Sequence, residues 1–494
     1  MTTKISIIKS FFEQEKYHEV IEACKEILIE NNKEIDALKL IAKSLLALKQ
    51  VEEASTFINI ILNLEPNDFE IIKDLGNLYQ AKGDYYNAKK CYQKSISIKS
   101  DYAPALSNLG SLKLKLGEEE ALCLLLKATE ASPKIALFWN NLTNGYFQLD
   151  LLKEAEESIS KSIKIDPSSF ISYFIFSSIL IKQNELNKAE ICLLKTIKLK
   201  PDFADAYIRL GLILKDLDRF NEAKFFTEKA IEINPNDVKP YINLGNILRE
   251  MGNLKEAEKF TRKAIELEPN HEKGYSNLAI ILKENGNKEE AEKLLKKAIK
   301  INPHNKKSYL NHGSISRDLG DLKEAEISTR KALEIEPNCS DVAINLTYIL
   351  IDLGKIQDLI TFSKSILQKN CIDKSIQFQL YIQLTIAYLI KGNLSELKNN
   401  LFKAKKYINL DVNNYKKGKL NEKNSLNYYT LMNNLIPYLK IDESNIYIDK
   451  IPHIGESHCL SFAHHSVSIF SKVKTLQPVL ITGAKAWHFA NNKN

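Results

Sequence analysis

The chain has 494 residues, 44% hydrophobic and 27% charged, and its 69 basic and 62 acidic side chains give a formal charge of +7. That length exceeds one ordinary core and predicts several domains or a repeat array, while 17 Gly and 13 Pro exclude a low-complexity polymer. Residues 398–424 hold eight lysines against Asp411 and Glu422, so the remainder is nearly balanced; no nucleic-acid partner is expected, and a single local basic patch is left open.

At the N-terminus, MTTKISIIKSFFEQEKYHEV lacks the apolar stretch and small-residue cleavage site of a secretory leader, and no run of about 18 apolar residues follows, so no membrane span is expected. Seven cysteines (Cys24, Cys91, Cys123, Cys192, Cys339, Cys371, Cys459) show no CxxC pair. That scatter predicts free, mostly buried thiols in a reducing, cytoplasmic setting.

From residue 67 the chain repeats itself. Prolines 133, 167, 201, 235, 269, 303 and 337 stand 34 residues apart, and Pro66 belongs to the same series. A second series runs Gly83, Gly117, Asp150, Asn184, Asp218, Gly252, Gly286, Gly320, Gly354, and a third runs Ala155, Ala189, Ala223, Ala257, Ala291, Ala325. Each unit predicts two amphipathic helices: Tyr241, Leu244, Gly245 and Leu248 share one face, and Ala257, Phe260, Ala264 and Ile265 share another. Gly252-Asn253 supplies the turn, and Pro269 follows the second helix, where it breaks no hydrogen bond. Small residues at Gly245 and Ala257 allow the two helices to approach closely.

The period, the Tyr-x-x-Leu-Gly of the first helix, the Gly-Asn-x-x-x-Ala turn and the proline ending resemble the tetratricopeptide repeat family. The resemblance is close over 67–337 and looser over 1–66 and 338–408, where Val20, Leu359 and Leu397 stand in the alanine slot. One departure recurs: the aromatic residue usual in mid-second helix is Thr227, Thr261 and Thr329 here. The expected fold is all-α, a right-handed superhelical solenoid over 1–408 of about eleven or twelve helix pairs, because no pair alone can bury its apolar face. Its groove, lined by the first helices, is the surface where partners are expected.

One register of the first helices reads Asp74, Asn108, Asn141, Ile175, Arg209, Asn243, Asn277, Asn311, Asn345. Asn is a mediocre helix former, so two readings stand: the amides hold the backbone of an extended peptide, or they are copied packing residues. With Asn246 in the NLGN stretch, the row resembles the repeat region of O-linked N-acetylglucosamine transferases, which implies peptide binding. Lys215, Arg249, Lys283 and Arg317 form a second register, either facing an acidic ligand or simply solvated. Phe174, Ile175 and Ile181 interrupt the polar row and would either anchor an apolar side chain or pack within the protein.

After 408 the pattern stops. Residues 409–424 read as a polar, basic linker, 425–445 as a connecting helix, and 446–494 as an incomplete α/β segment. Gly455-Glu456-Ser457-His458 resembles the block that opens SGNH-type esterases. Glu456 departs from its usual Asp, however, and no GxND or closing Asp-x-x-His block follows. Ser457 and His458 are the residues that such chemistry would use. His458, Cys459, His464 and His465 lack a standard metal spacing, and neither metal nor cofactor is expected. Three function classes follow: a scaffold for proteins or extended peptides, the targeting half of a glycosyltransferase-like or SGNH-like enzyme whose catalytic domain is truncated or encoded separately, and a self-associating array.

Overall fold

The computed structural model describes residues 2–337, 339–368, 374–407, 439–442 and 445–448. They fall into two compact units, Met1–Pro235 and Asn236–Asn494.

The first unit stacks seven helix pairs: α1 (Thr2–Glu13) with α2 (Tyr17–Glu30), α3 (Ile35–Ala47) with α4 (Val51–Leu64), α5 (Phe69–Ala81) with α6 (Tyr85–Ile98), α7 (Ala103–Leu116) with α8 (Ala121–Ala131), α9 (Ala136–Gln148) with α10 (Leu152–Ile165), α11 (Phe170–Lys182) with α12 (Leu186–Leu199), and α13 (Ala204–Asp216) with α14 (Phe220–Ile233). The second stacks five: α15 (Val238–Glu250) with α16 (Leu254–Leu267), α17 (Glu272–Glu284) with α18 (Lys288–Ile301), α19 (Lys306–Asp318) with α20 (Leu322–Ile335), α21 (Ser340–Asp352) with α22 (Ile356–Leu367), and α23 (Lys374–Ile390) with α24 (Leu394–Lys405). The first member of each pair is its A helix and the second its B helix. These twelve pairs realise the all-α repeat array expected from the sequence.

The turn series has one cause. Gly83, Gly252, Gly286, Gly320, Asp150, Asn184 and Asp218 all have positive φ, the left-handed residue that ends an A helix. Beyond it the chain reverses: Asn253 donates its backbone N–H to the Leu248 carbonyl at 2.8 Å, and Asp321 to that of Ser316 at 2.9 Å. The proline series works with the aromatic residue of the next A helix. Trp139 donates to the Pro133 carbonyl (2.8 Å), Tyr207 to that of Pro201 (3.1 Å) and Tyr275 to that of Pro269 (2.9 Å), which ties each pair to the next.

Within a pair the small residues meet as expected. A Cβ on Gly211, Gly245 or Gly313 would fall on the Oγ1 of Thr227, Thr261 or Thr329 respectively, each threonine being fully buried. At Gly76 the partner is the ring of Tyr92 and at Gly110 it is Leu125, so one slot takes threonine, tyrosine or leucine.

Two expectations need correction. Of the five described cysteines, all free, Cys24 and Cys192 are buried, Cys91 and Cys339 are partly covered, and Cys123 is exposed, so the thiols are not mostly buried. Burial pushes the thiols of Cys24 and Cys192 up to about 11, away from reactive thiolate. Residues 439–442 lie in the stretch read as a helix, yet β1 (Leu439–Asp442) pairs antiparallel with β2 (Asn445–Ile448), Leu439 opposite Ile448. The alternation Leu-Lys-Ile-Asp and the β-prone Ile-Tyr-Ile favour a short hairpin there. Ser457, His458 and the rest of 449–494 lie outside the described residues.

Candidate functional site on the A-helix faces

In the first unit the Asn register is already engaged. Asn108 donates through Nδ2 to Asn77 Oδ1 at 2.7 Å, and Tyr92 donates its hydroxyl to the same oxygen at 2.9 Å. Asn141 donates through Nδ2 to Ser107 Oγ at 2.8 Å. Both amides therefore join one A helix to the preceding one, which is a packing role.

The next two positions of the register differ in chemistry. Ile175 is half-buried on α11, beside Phe174 and one turn beyond exposed Ile171; Ile181 is also half-buried. Arg209 on α13 stacks over Phe174, its guanidinium carbon 3.9 Å from the ring centroid. Its Nη1 donates to the Phe174 carbonyl (3.3 Å), to Ser177 Oγ (3.4 Å) and to Ser178 Oγ. Burial lowers the guanidinium from its usual range, with Asp205 on the preceding turn opposing the shift.

In the second unit Asn243, Asn246, Asn277, Asn311 and Asn345 are half-buried on successive A helices. Among the described residues the side chains of Asn243, Asn246, Asn277 and Asn311 make no hydrogen bond, and Asn345 Nδ2 is buried without a partner. The cationic register is committed internally. Arg249 pairs with Glu284 at 2.7 Å, Lys283 with Asp318 at 3.0 Å and Arg317 with Asp352 at 2.5 Å, each cation reaching the acid of the next A helix. Lys215 pairs with neighbouring Asp216 at 2.9 Å.

A different cationic row, missed in the sequence, lies one turn before the asparagines. Lys239, Lys273 and Lys307 are exposed, and none forms an ion pair among the described residues. They occupy the second residue of their helices, where a cation opposes the macrodipole at a cost of about 0.3–1 kcal/mol each. In three of the seven A helices of the first unit the same slot holds an acid, Asp36, Glu70 or Asp205, as the dipole favours. The 34-residue spacing and this reversal of sign were the available signal.

His312 fills the slot that holds Leu244 and Leu278 in neighbouring A helices and is 2% exposed. Its Nδ1 lies 2.8 Å from Ser328 Oγ, while buried Nε2 has no hydrogen-bond partner. Glu292 and Glu324 approach the ring at 3.8 Å, yet burial dominates and holds the imidazole below its usual range. Among the described residues no cluster of three or more His, Cys, Asp or Glu is suited to a metal, and no helix is long and apolar enough to cross a membrane.

Comparison with known proteins agrees with this architecture. Tetratricopeptide repeat models match 204–237, 238–271 and 272–305; a second model matches 11–76; a third matches 74–102, 171–203 and 306–339. A STIP1 homolog of Dictyostelium discoideum is 32% identical over 98 residues, 20% of this chain and 17% of that protein. A TPR repeat-containing protein of Methanocaldococcus jannaschii is 36% identical over 76 residues, 15% of this chain and 22% of that one. The chain thus spans under a quarter of the length of either relative. Among solved structures, YrrB, described as a TPR protein with an unusual peptide-binding site, is 24% identical, with a TM-score of 0.32, covering 37% of this chain and 95% of its own. PilF of Pseudomonas aeruginosa is 19% identical, with a TM-score of 0.37, covering 42% and 94%. With repeat matches across 11–102 and 171–339, more than half of its length, the chain belongs to the tetratricopeptide repeat family.

Proposed function

We propose that the protein is a cytoplasmic interaction scaffold without catalytic activity in its repeats, and that the A-helix face of the second unit binds an extended, acidic peptide or protein segment. The observation that carries this reading is the row of open amides at Asn243, Asn277 and Asn311, each one turn beyond an unpaired lysine. A carboxamide offers both a donor and an acceptor, so it suits a peptide backbone whatever its side chains. Lys239, Lys273 and Lys307 add attraction for acidic side chains. The likeness of the row to the repeats of O-linked N-acetylglucosamine transferases supports the same assignment. The ion-paired Lys215, Arg249, Lys283 and Arg317 take no part in it, and Ser457 and His458 lie outside the described residues.

The test is fluorescence anisotropy of the full chain with a labelled, end-capped peptide, Gly-Ser-Thr-Asp-Ser-Glu-Thr-Ser. Replacing Asn243, Asn277 and Asn311 together by Ala is expected to weaken binding by about tenfold or more, with a melting temperature close to that of the parent. Unchanged affinity, or a collapse in melting temperature, would show the row to be structural.

A further inference from the structure

The first unit carries a surface of another kind. Leu137 on α9, Ile171 on α11 and Leu212 on α13 are 57%, 45% and 38% exposed. Ile171 and Ile175 stand four residues apart and Arg209 and Leu212 three, so each pair shares a helix face, although Ile175 also packs against Ala155, Ile159 and Ile179. Three successive A helices thus present apolar side chains where the second unit presents Lys and Asn.

Within this shelf Arg209 is a half-buried cation without a carboxylate. All of its hydrogen bonds leave from Nη1, to a carbonyl and two serines of α11, and Nε and Nη2 have no partner among the described residues. Asp205 is its sole acidic influence and forms no ion pair with it. Withdrawing a cation from water without a counter-charge is costly, and a guanidinium already positioned by Phe174 has its open edge pre-set for two parallel bonds to a carboxylate.

We propose that the A-helix face of α9, α11 and α13 takes an apolar peptide segment bearing one acidic side chain, whose carboxylate pairs with the Nε/Nη2 edge of Arg209 while flanking apolar side chains rest on Leu137, Ile171 and Leu212. The occupant is set by charge complementarity: a lone desolvated cation inside an apolar surface selects one negative charge among apolar neighbours. This rests on the reading of the A-helix faces as peptide-binding surfaces and adds a second, chemically distinct subsite.

The experiment uses the full chain, the polar acidic peptide above, and the end-capped, labelled peptide Gly-Ser-Leu-Leu-Glu-Leu-Leu-Ser-Gly with its Gln counterpart, each apolar peptide also prepared with a free C-terminus. The Glu peptide is expected to bind about tenfold more tightly than the Gln peptide. Arg209→Gln should bring the two within about twofold of each other, and Arg209→Lys, which keeps charge but not the fork, should restore only part of the difference. Ile171→Ser alters an exposed position, leaves folding intact and should weaken both peptides several-fold. Equal affinity of the two peptides for the parent chain, or a preference that survives Arg209→Gln, overturns the proposal, as does binding only when the peptide carries a free terminal carboxylate. Binding of the polar acidic peptide without either apolar one removes this subsite alone; failure of all three removes the peptide-binding reading as well.

Discussion

Thr261 shows how a single slot is solved in this chain. Its hydroxyl donates to the Ala257 carbonyl at 2.8 Å and sits against Gly245, as Thr227 sits against Gly211. The sequence showed both the small residue and the threonine, but not that they meet, because that requires knowing which turns face each other. Gly245→Ala should place a methyl on Thr261 Oγ1 and cost about 1–3 kcal/mol, measured by urea unfolding. His312 is a second residue whose role needed the structure: an i,i+3,i+4 pattern places it on the buried face but says nothing of charge. It lies among Glu292 and Lys296 of α18 and Glu324 of α20, with Asp321 just before that helix. Its folded-state affinity for protons is lowered, so the unfolded chain binds the proton better. The stability it contributes is present above the ordinary histidine range and lost as pH falls from about 6.5 toward the lowered folded value. Chemical denaturation between about pH 7 and 5.5 should therefore show a decline that His312→Leu flattens.

At the level of helices, the cationic register illustrates where periodicity misleads. Spacing identified Lys215, Arg249, Lys283 and Arg317 as one row, and geometry gives three of them the acid one repeat onward. Sequence offset alone cannot show this, since partners 35 residues apart are near only once the stacking register is known. Arg317 also lies 5.4 Å from the centroid of the Tyr348 ring, on the same helix as its partner Asp352. A double-mutant cycle with Arg317→Met and Asp352→Asn should give a coupling of roughly 0.5–1.5 kcal/mol that shrinks at high salt, since the pair is partly buried. The Asn register divides in the same way: Asn108 and Asn141 bridge helices, whereas Asn243, Asn277 and Asn311 do not.

For the molecule as a whole, the repeat made the fold legible, because each pair needs only its neighbours and a 34-residue period states the neighbours outright. The site was legible only in part. Phe174 and Ile175 stood out as apolar breaks, but the meaning of Arg209 beside them depends on its stacking on a ring from the preceding A helix. The tail read as a helix up to 445 failed at 439–442 because two alternating four-residue runs separated by Glu443-Ser444 pair with each other. Local pairing outweighs a helical period that short.

The lysines at the second position of α15, α17 and α19 have a further bearing. Each adds positive charge to a helix start, beside Asp237 at the cap of α15 and Glu272 in the first turn of α17. A bound acidic segment would offset that added charge from outside. Ligand and helix would then be thermodynamically coupled: occupancy would tighten the opening turns of three helices at once, and the second unit would be firmer when loaded than when empty.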